Sequence, residues 1–322
     1  MNPTIPFTAY KGTEPFIVPV GCHASEVTAA VPISRSGWAQ EIVHDMTGMA
    51  FCFIPPGTFT MGSPKKEVGR SDDEVRHRVA LTQGFYLGKY PVTQAQWARV
   101  MRKNPVLIDS WNDFEGLLEN FKARERLPDK SEWEKVMRGN PSHFKGSDLP
   151  VESVSRDDCQ GFLTKFGAGA RLPTETEWEY ACRAGTTTAL NSGKELTSTL
   201  GWCPNLDEVA WYCQNSDDKT HPVGQKQPNA WGLYDMHGLV WEMCSDLYGD
   251  YPTGSVTDPQ GAQQGWTEVY RGGAWINNAH YCRAALRTFA CDSGNRVGFR
   301  VVLPTQVSSA PTGLPKIRNR RY

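Results

Sequence analysis

The 322-residue chain carries 34 Lys and Arg against 35 Asp and Glu, a net charge of −1, which gives no electrostatic basis for binding nucleic acid. Hydrophobic residues make up 39% of the chain while mean hydropathy is −0.49, so it can bury a sizeable core, and no apolar run approaches the ~18–20 residues that span a bilayer. The 9 cysteines are an odd number without a CxxC pair, and the first residues show neither a basic nor an apolar leader segment, so reduced thiols in the cytoplasm are expected.

Residues 1–47 contain scattered prolines and read as a strand-and-turn extension. Phe51 to Ile54 and Thr58 to Gly62 read as two strands around the Pro55-Pro56-Gly57 turn. Residues 63–78 are rich in charge and read as a surface loop, with His77 a solvated loop histidine. Val79 to Tyr90 alternates as two short strands. Thr93 and Gln96 have capping-box spacing, so a helix is expected through Trp97 and Met101, ending by Asn104 and Pro105.

An internal repeat follows. Residues 110–138 align with 155–183 at a constant offset of 45, with 13 of 29 positions identical, including both RLP and EWE triplets. The spacing occurs once, so a solenoid is excluded. Ser155 precedes a helix with Cys159, Phe162, Leu163 and Phe166 on its apolar face. Thr174 and Glu177 form a second capping box before Trp178, Ala181 and Cys182. Glu177 and Glu179 lie two apart on that helix, point to different faces and cannot act as an acid–base pair.

Residues 271–302, RGGAWINNAHYCRAALRTFACDSGNRVGFRVV, organise the rest. Both ends read as rigid scaffold, glycines followed by strand formers. Between them Ile276, Asn277, His280, Tyr281, Leu286, Thr288, Phe289, Ala290, Ser293 and Val297 follow no period for long, which suits a displayed ligand-binding surface better than a core.

The blocks IPPGTFTMGS (54–63), GFYLGKYPVTQAQW (84–97), LPVESVS (149–155), ARLPTETEWEYACRAG (170–185), HPVGQKQPNAWGLYDMHGLVWEMCSD (221–246) and RGGAW…GFRVV occur in one order. Together they resemble the formylglycine-generating enzyme (sulfatase-modifying factor) superfamily. That resemblance implies an α+β, C-type-lectin-like fold of short twisted antiparallel strands, a few helices and much irregular loop, over residues 48–304. Against the family pattern, residues 106–139 read as a helical insertion derived from a copy of the neighbouring helical region, and residues 305–322 as a basic flexible tail. The 271–302 stretch also resembles the variable region of proteins diversified by retroelements on this fold. On that resemblance Trp275, Cys282, Arg283, Arg287 and Arg300 are scaffold, and the residues between them face an unknown protein or small ligand.

The resemblance also brings chemistry to test. Family members that make formylglycine hold copper(I) through two cysteines five residues apart, and a soft metal requires those thiolates. Here the two positions are Asn277 and Cys282, so the first thiolate is replaced by an amide. This argues for a non-catalytic binding protein, with an enzyme using Cys282 as the alternative and an interaction module of a larger assembly as a third. The 7 histidines are dispersed without an i, i+4 pair, and no GxSxG, Walker or GxGxxG motif is present. In members that bind calcium, the equivalents of Asp235 and Glu242 give side-chain oxygens and those of Gly238 and Val240 give carbonyls. Leu239 and Met243 depart from that pattern here. A loop in which Asp235 and Glu242 satisfy backbone donors is the alternative to calcium, and no other cofactor is implied.

Overall fold

The structure is a computed structural model and describes residues 18–19, 21–25, 38–101, 139–262, 265, 267–289 and 294–305. Residues 106–138 of the expected insertion, 306–322 of the tail, and the candidate positions Ala290 and Ser293 lie outside the described residues.

In chain order the first strands are β1 (Cys22–Ala24), β2 (Glu41–His44), β3 (Ala50–Ile54), β4 (Gly57–Met61), β5 (His77–Leu81) and β6 (Phe85–Gly88). Helices α1 (Gln94–Met101), α2 (Arg156–Phe166), α3 (Glu175–Arg183) and the short α4 (Pro204–Asp207) follow. The second half holds β7 (Ala210–Trp211), β8 (His237–Gly238), β9 (Trp241–Leu247), β10 (Val256–Thr257), β11 (Glu268–Arg271), β12 (Arg287–Thr288), β13 (Val297–Gly298) and β14 (Val302–Pro304).

One sheet has the order β1-β2-β3-β6-β14 with every neighbouring pair antiparallel, so the last strand closes against the first third of the chain. A second has the order β12-β11-β9-β13, and β13 runs parallel to β9. Smaller sheets join β10-β5-β4 and β7-β8. These short strands, few helices and long connections are the α+β, C-type-lectin-like arrangement.

Local chemistry sets the helix starts. Ser155 and Asp158 at α2, and Thr174 and Glu177 at α3, each form a reciprocal capping box, worth about 1 kcal/mol apiece. Thr93 and Gln96 exchange the equivalent bonds at α1. The capping spacings therefore mark the three helix starts. α2 buries Cys159, Phe162, Leu163 and Phe166 in a core shared with Phe51, Tyr86, Trp97 and Phe299.

α3 is unusual because all nine of its residues are buried, four of them charged. A buried charge is tolerated only with a partner. Glu175 and Glu179 are met by Arg271, Arg287 and Arg183, so α3 is clamped to the 271–302 stretch. Glu177 instead pairs with Arg171, and the two glutamates two apart do take different partners.

Two expectations fail in the 63–78 segment. It is not simply a solvated loop, because Glu67 and Glu74 are buried on Arg283. His77 is buried in β5, its ring 4.8 Å from that of Tyr251. Both errors have one cause, a partner more than 170 residues away that local composition cannot reveal.

Candidate ligand-binding face

The face begins where β11 ends. Gly272 and Gly273 adopt φ 94 and 79, a left-handed conformation that glycine takes without strain. They turn the chain so that Trp275 is buried with its indole N–H donating to Asn295 O at 3.0 Å. Asn277 then folds back, its side-chain oxygen accepting from the Ala274 N–H at 2.9 Å. A 3-10 turn, Ala279–Cys282, follows.

Three buried contacts hold this turn. His237 Nδ1 lies 2.6 Å from Cys282 O while its Nε2 accepts from the Asn191 N–H, which places the proton on Nδ1. The Arg283 guanidinium donates to Glu67, to both oxygens of Glu74 and to His280 O. Ser216 Oγ donates to Trp275 O at 2.8 Å.

Burial pushes the His237 imidazole down to about 4. Its folded pKa is below the ordinary value, so the neutral ring contributes stability above about pH 6.5 that is lost as pH falls toward 4, a loss on the order of 3 kcal/mol. Asp235 and Asp246, pushed up by burial to about 6 and about 7, have the opposite sign, since their ionisation opposes folding as pH rises. The His237 contribution is therefore read as the difference between wild type and His237→Gln in urea unfolding at pH 4 to 8. The expected difference shrinks toward acid; a difference independent of pH would contradict it.

The structure sorts the predicted display positions. Ile276, Tyr281 and Phe289 are 38%, 37% and 48% exposed. Asn277, His280 and Thr288 are half-buried. Leu286 and Val297 are corrections, since both are buried in the main core, Val297 within β13 opposite Trp241. Their neighbours Arg287 and Gly298 are buried too, so among the described residues the exposed positions of the stretch lie in its first turn, at Phe289 after β12 and at Gly294. The exposed and half-buried predicted positions fall in two groups. One is Ile276 to Tyr281, and the other is Thr288 and Phe289, whose ring packs 4.6 Å from Tyr248.

The sequence reading missed the neighbours of the first group. His280 N–H donates to Thr199 O at 3.2 Å, and Gly69 sits against His280 and Thr199. The adjoining Leu200, Trp202 and Val68 are 62%, 52% and 48% exposed. Two large apolar residues in a stretch of Ser, Thr and Gly with no period were the available signal.

Cys282 is fully buried, and burial pushes its thiol far above the usual range. The Asn277 amide cannot supply the thiolate that family members place there, and its oxygen is already bonded to Ala274 N–H. The cysteine pair of the resemblance therefore does not fit copper(I) here. Cys213 was also missed as a neighbour. Its N–H donates to Asn277 O at 3.1 Å, its sulfur lies 3.3 Å from Asn278 Oδ1, and Cys282 Sγ lies 4.0 Å from Asn278 O. Cys203 packs in the same small cluster as Cys282. Burial acts to raise its thiol, but hydrogen bonds from the Thr197 hydroxyl and nearby backbone outweigh it and leave the pKa lowered.

The calcium set is placed as follows. Asp235 Oδ2 accepts from Gly224 N–H at 2.7 Å, while its buried Oδ1 has no hydrogen bond. Both Glu242 oxygens are taken by Arg300, and one also by the Trp178 indole. Gly238 O accepts from Val240 N–H at 2.9 Å. A guanidinium on Glu242 repels a second cation, so this donor set does not fit a calcium cage. Among the described residues no group of three or more His, Cys, Asp or Glu is arranged to hold a metal. Leu239, where the family has asparagine, is forced to φ 66.

No helix among the described residues is long and apolar enough to cross a membrane. The chain is 32% identical to the formylglycine-generating enzyme of Mus musculus over 318 residues, 88% of this chain and 84% of that one. It is 30% identical to the chaperone protein LppX of Paenibacillus barcinonensis over 220 residues, 61% of this chain and 71% of that one. The fold is similar to that of Treponema denticola variable protein 1, with TM-score 0.58, 25% identity and coverage of 80% of this chain and 95% of that one. PvdO from Pseudomonas aeruginosa is similar at TM-score 0.57 and 26% identity, with the same coverage. Residues 40–305 match the family described as the sulfatase-modifying factor enzyme 1-like domain, and the chain belongs to that family.

Proposed function

We propose that this chain is a non-catalytic binding protein that presents Ile276, Asn277, His280 and Tyr281, together with Leu200, Trp202 and Val68 from the segments whose Thr199 and Gly69 meet His280, to a protein or small ligand. The observation that carries this reading is the exposure of Ile276 and Tyr281 on a turn whose flanking residues Trp275 and Cys282 are buried. Tyrosine and tryptophan combine large contact area with few rotors and anchor interfaces. The likeness to a protein called a variable protein supports display, with scaffold arginines fixed and the positions between them open to diversification in a bacterial setting. The described cysteines are free thiols, which supports a reducing, cytoplasmic compartment. A partner obtained with wild type should bind Tyr281→Ala and Trp202→Ala each more weakly by about 2 kcal/mol, or roughly thirtyfold. Unchanged melting temperatures accompany that loss; equal affinity of both variants would refute the reading.

A second reading, an enzyme using Cys282, is favoured by one observation, the placement of Cys213 beside it. It requires Cys213→Ser and Cys282→Ser to abolish the same turnover. Retention of that turnover in either variant sinks it.

A further inference from the structure

A cavity of about 320 Å³ opens between the start of α3, the end of β9 and the loop after it, apart from the Ile276 to Tyr281 turn. His77, Glu175, Asp246, Asp250, Tyr251 and Arg287 supply its polar wall. Met61, Pro252, Val256 and Pro259 supply an apolar one. A volume of this size takes a small ligand or a single long side chain.

The wall offers acceptors and has spent its donors. Arg287 directs Nε and Nη2 to Glu175 and Nη1 to Gly249 O. Arg271, behind it, is consumed by Glu175, Glu179, Tyr251 Oη and the carbonyls of Ala284 and Leu286. The Tyr251 hydroxyl donates to Glu175. His77 Nδ1 lies 3.0 Å from Val75 O, which leaves Nε2 as an acceptor when the ring is neutral. Glu175 is fully compensated by the two arginines, whereas among the described residues no basic side chain forms a direct ion pair with Asp246, and Arg171 acts on it only through space. Among the described residues Asp246 accepts from the Glu175 N–H at 2.7 Å and the Ser245 hydroxyl at 3.1 Å, and its side chain lies against Gly261. Asp250 lies exposed on the same wall.

We propose that this cavity binds an alkylammonium group, with Asp246 at its floor, Asp250 on its wall and the apolar wall against the alkyl chain; the Tyr251 ring is already covered by the Arg287 guanidinium at 4.0 Å and the His77 ring at 4.8 Å. An ammonium supplies the direct ion pair that Asp246 lacks among the described residues, and its methylenes match Met61, Val256 and the prolines. The same chemistry is carried by a free amine and by a lysine side chain.

Burial, and then the Glu175 charge, hold the Asp246 carboxyl up at about 7. Glu177 acts in the same direction, and bonds from Glu175 N–H and Ser245 act against it. The titratable and charged groups lining the cavity around it are His77, Glu175, Asp250, Tyr251 and Arg287, and the Arg171 charge also acts on it. A bound ammonium favours the ionised form, so affinity rises as the carboxyl gives up its proton.

The test is calorimetric titration of the full chain with n-butylammonium, with n-butanol as the neutral control, at pH 6 and pH 8. Butylammonium is charged at both values. The expected result is binding of the ammonium alone, strengthened about tenfold from pH 6 to pH 8. Asp246→Asn removes that rise and weakens binding by about thirtyfold. Asp250→Asn, at an exposed position that does not threaten folding, weakens it by about threefold. Equal binding of butanol, or ammonium binding that neither pH nor either substitution alters, overturns the proposal. Nα-acetyl-lysine amide binding more tightly than butylammonium assigns the site to a partner's lysine; weaker binding assigns it to a free amine. None of these measurements touches Tyr281 or Trp202, so the proposed face and this cavity stand or fall separately.

Discussion

Replacing Arg283 by methionine is expected to lower stability by about 3–5 kcal/mol. The guanidinium is fully buried between Glu67 and Glu74, at 2.5 to 2.8 Å from three carboxylate oxygens, and also donates to His280 O. Methionine fills much of the space but leaves two buried carboxylates without a counter-charge. Burial already holds the Glu67 carboxyl above the usual range even with Arg283 present. Urea unfolding at neutral pH gives the loss directly. Adding Glu74→Gln to the methionine variant should restore part of it, since the amide is not charged. A loss under about 1 kcal/mol would show that this triad does not anchor the display turn.

Gly273→Ala is the second large effect, about 2–4 kcal/mol. A Cβ there lies 2.7 Å from Cys282 Sγ and 2.9 Å from Tyr281 O, in a residue at φ 79. Gly193 separates the two costs, because it has the same φ of 79 and nothing within 4 Å of its virtual Cβ. Gly193→Ala should therefore show only the conformational term, roughly 1 kcal/mol. Equal losses at the two sites would mean that the close approach of the turn to Gly273 carries no energy.

Both predictions concern contacts that sequence order hides, and this separates what was legible from what was not. The capping pairs Ser155 with Asp158, Thr174 with Glu177 and Thr93 with Gln96 lie three residues apart, so helix starts could be read locally. The strands around Phe51 and Phe59 were legible from strand-forming residues on either side of a proline turn. Exposure was legible at Ile276, Tyr281 and Phe289, where a large apolar residue follows no period. That signal failed at Leu286 and Val297, which look equally aperiodic, but Leu286 leads into β12 and Val297 lies in β13, and both are buried in the core. Glu67 and Glu74 looked like solvated charge because their cation is more than 200 residues away. Cys213 carried no motif, and only the fold brings it to Asn277 and Asn278.

The same limit applies to the polar sites. Asp235 and Glu242 were legible as a pair of oxygens, yet their occupancy was not. Arg300, 58 residues beyond Glu242, bonds both of its oxygens and also reaches the carbonyls of Gly88, Lys89 and Tyr234. Where the resemblance implied a cation site, Glu242 of β9 forms a buried ion pair with Arg300, which lies between β13 and β14.

The measurement that tests the central claim most directly is a turnover assay of the full chain with copper(I), oxygen and a sulfatase-type cysteine peptide, followed by mass spectrometry. Asn277 places an amide where the first thiolate is needed, so wild type is expected to leave the peptide unchanged, as the proposed binding role requires. Conversion of the cysteine to formylglycine by wild type would contradict the account and would return Cys282 to a catalytic role.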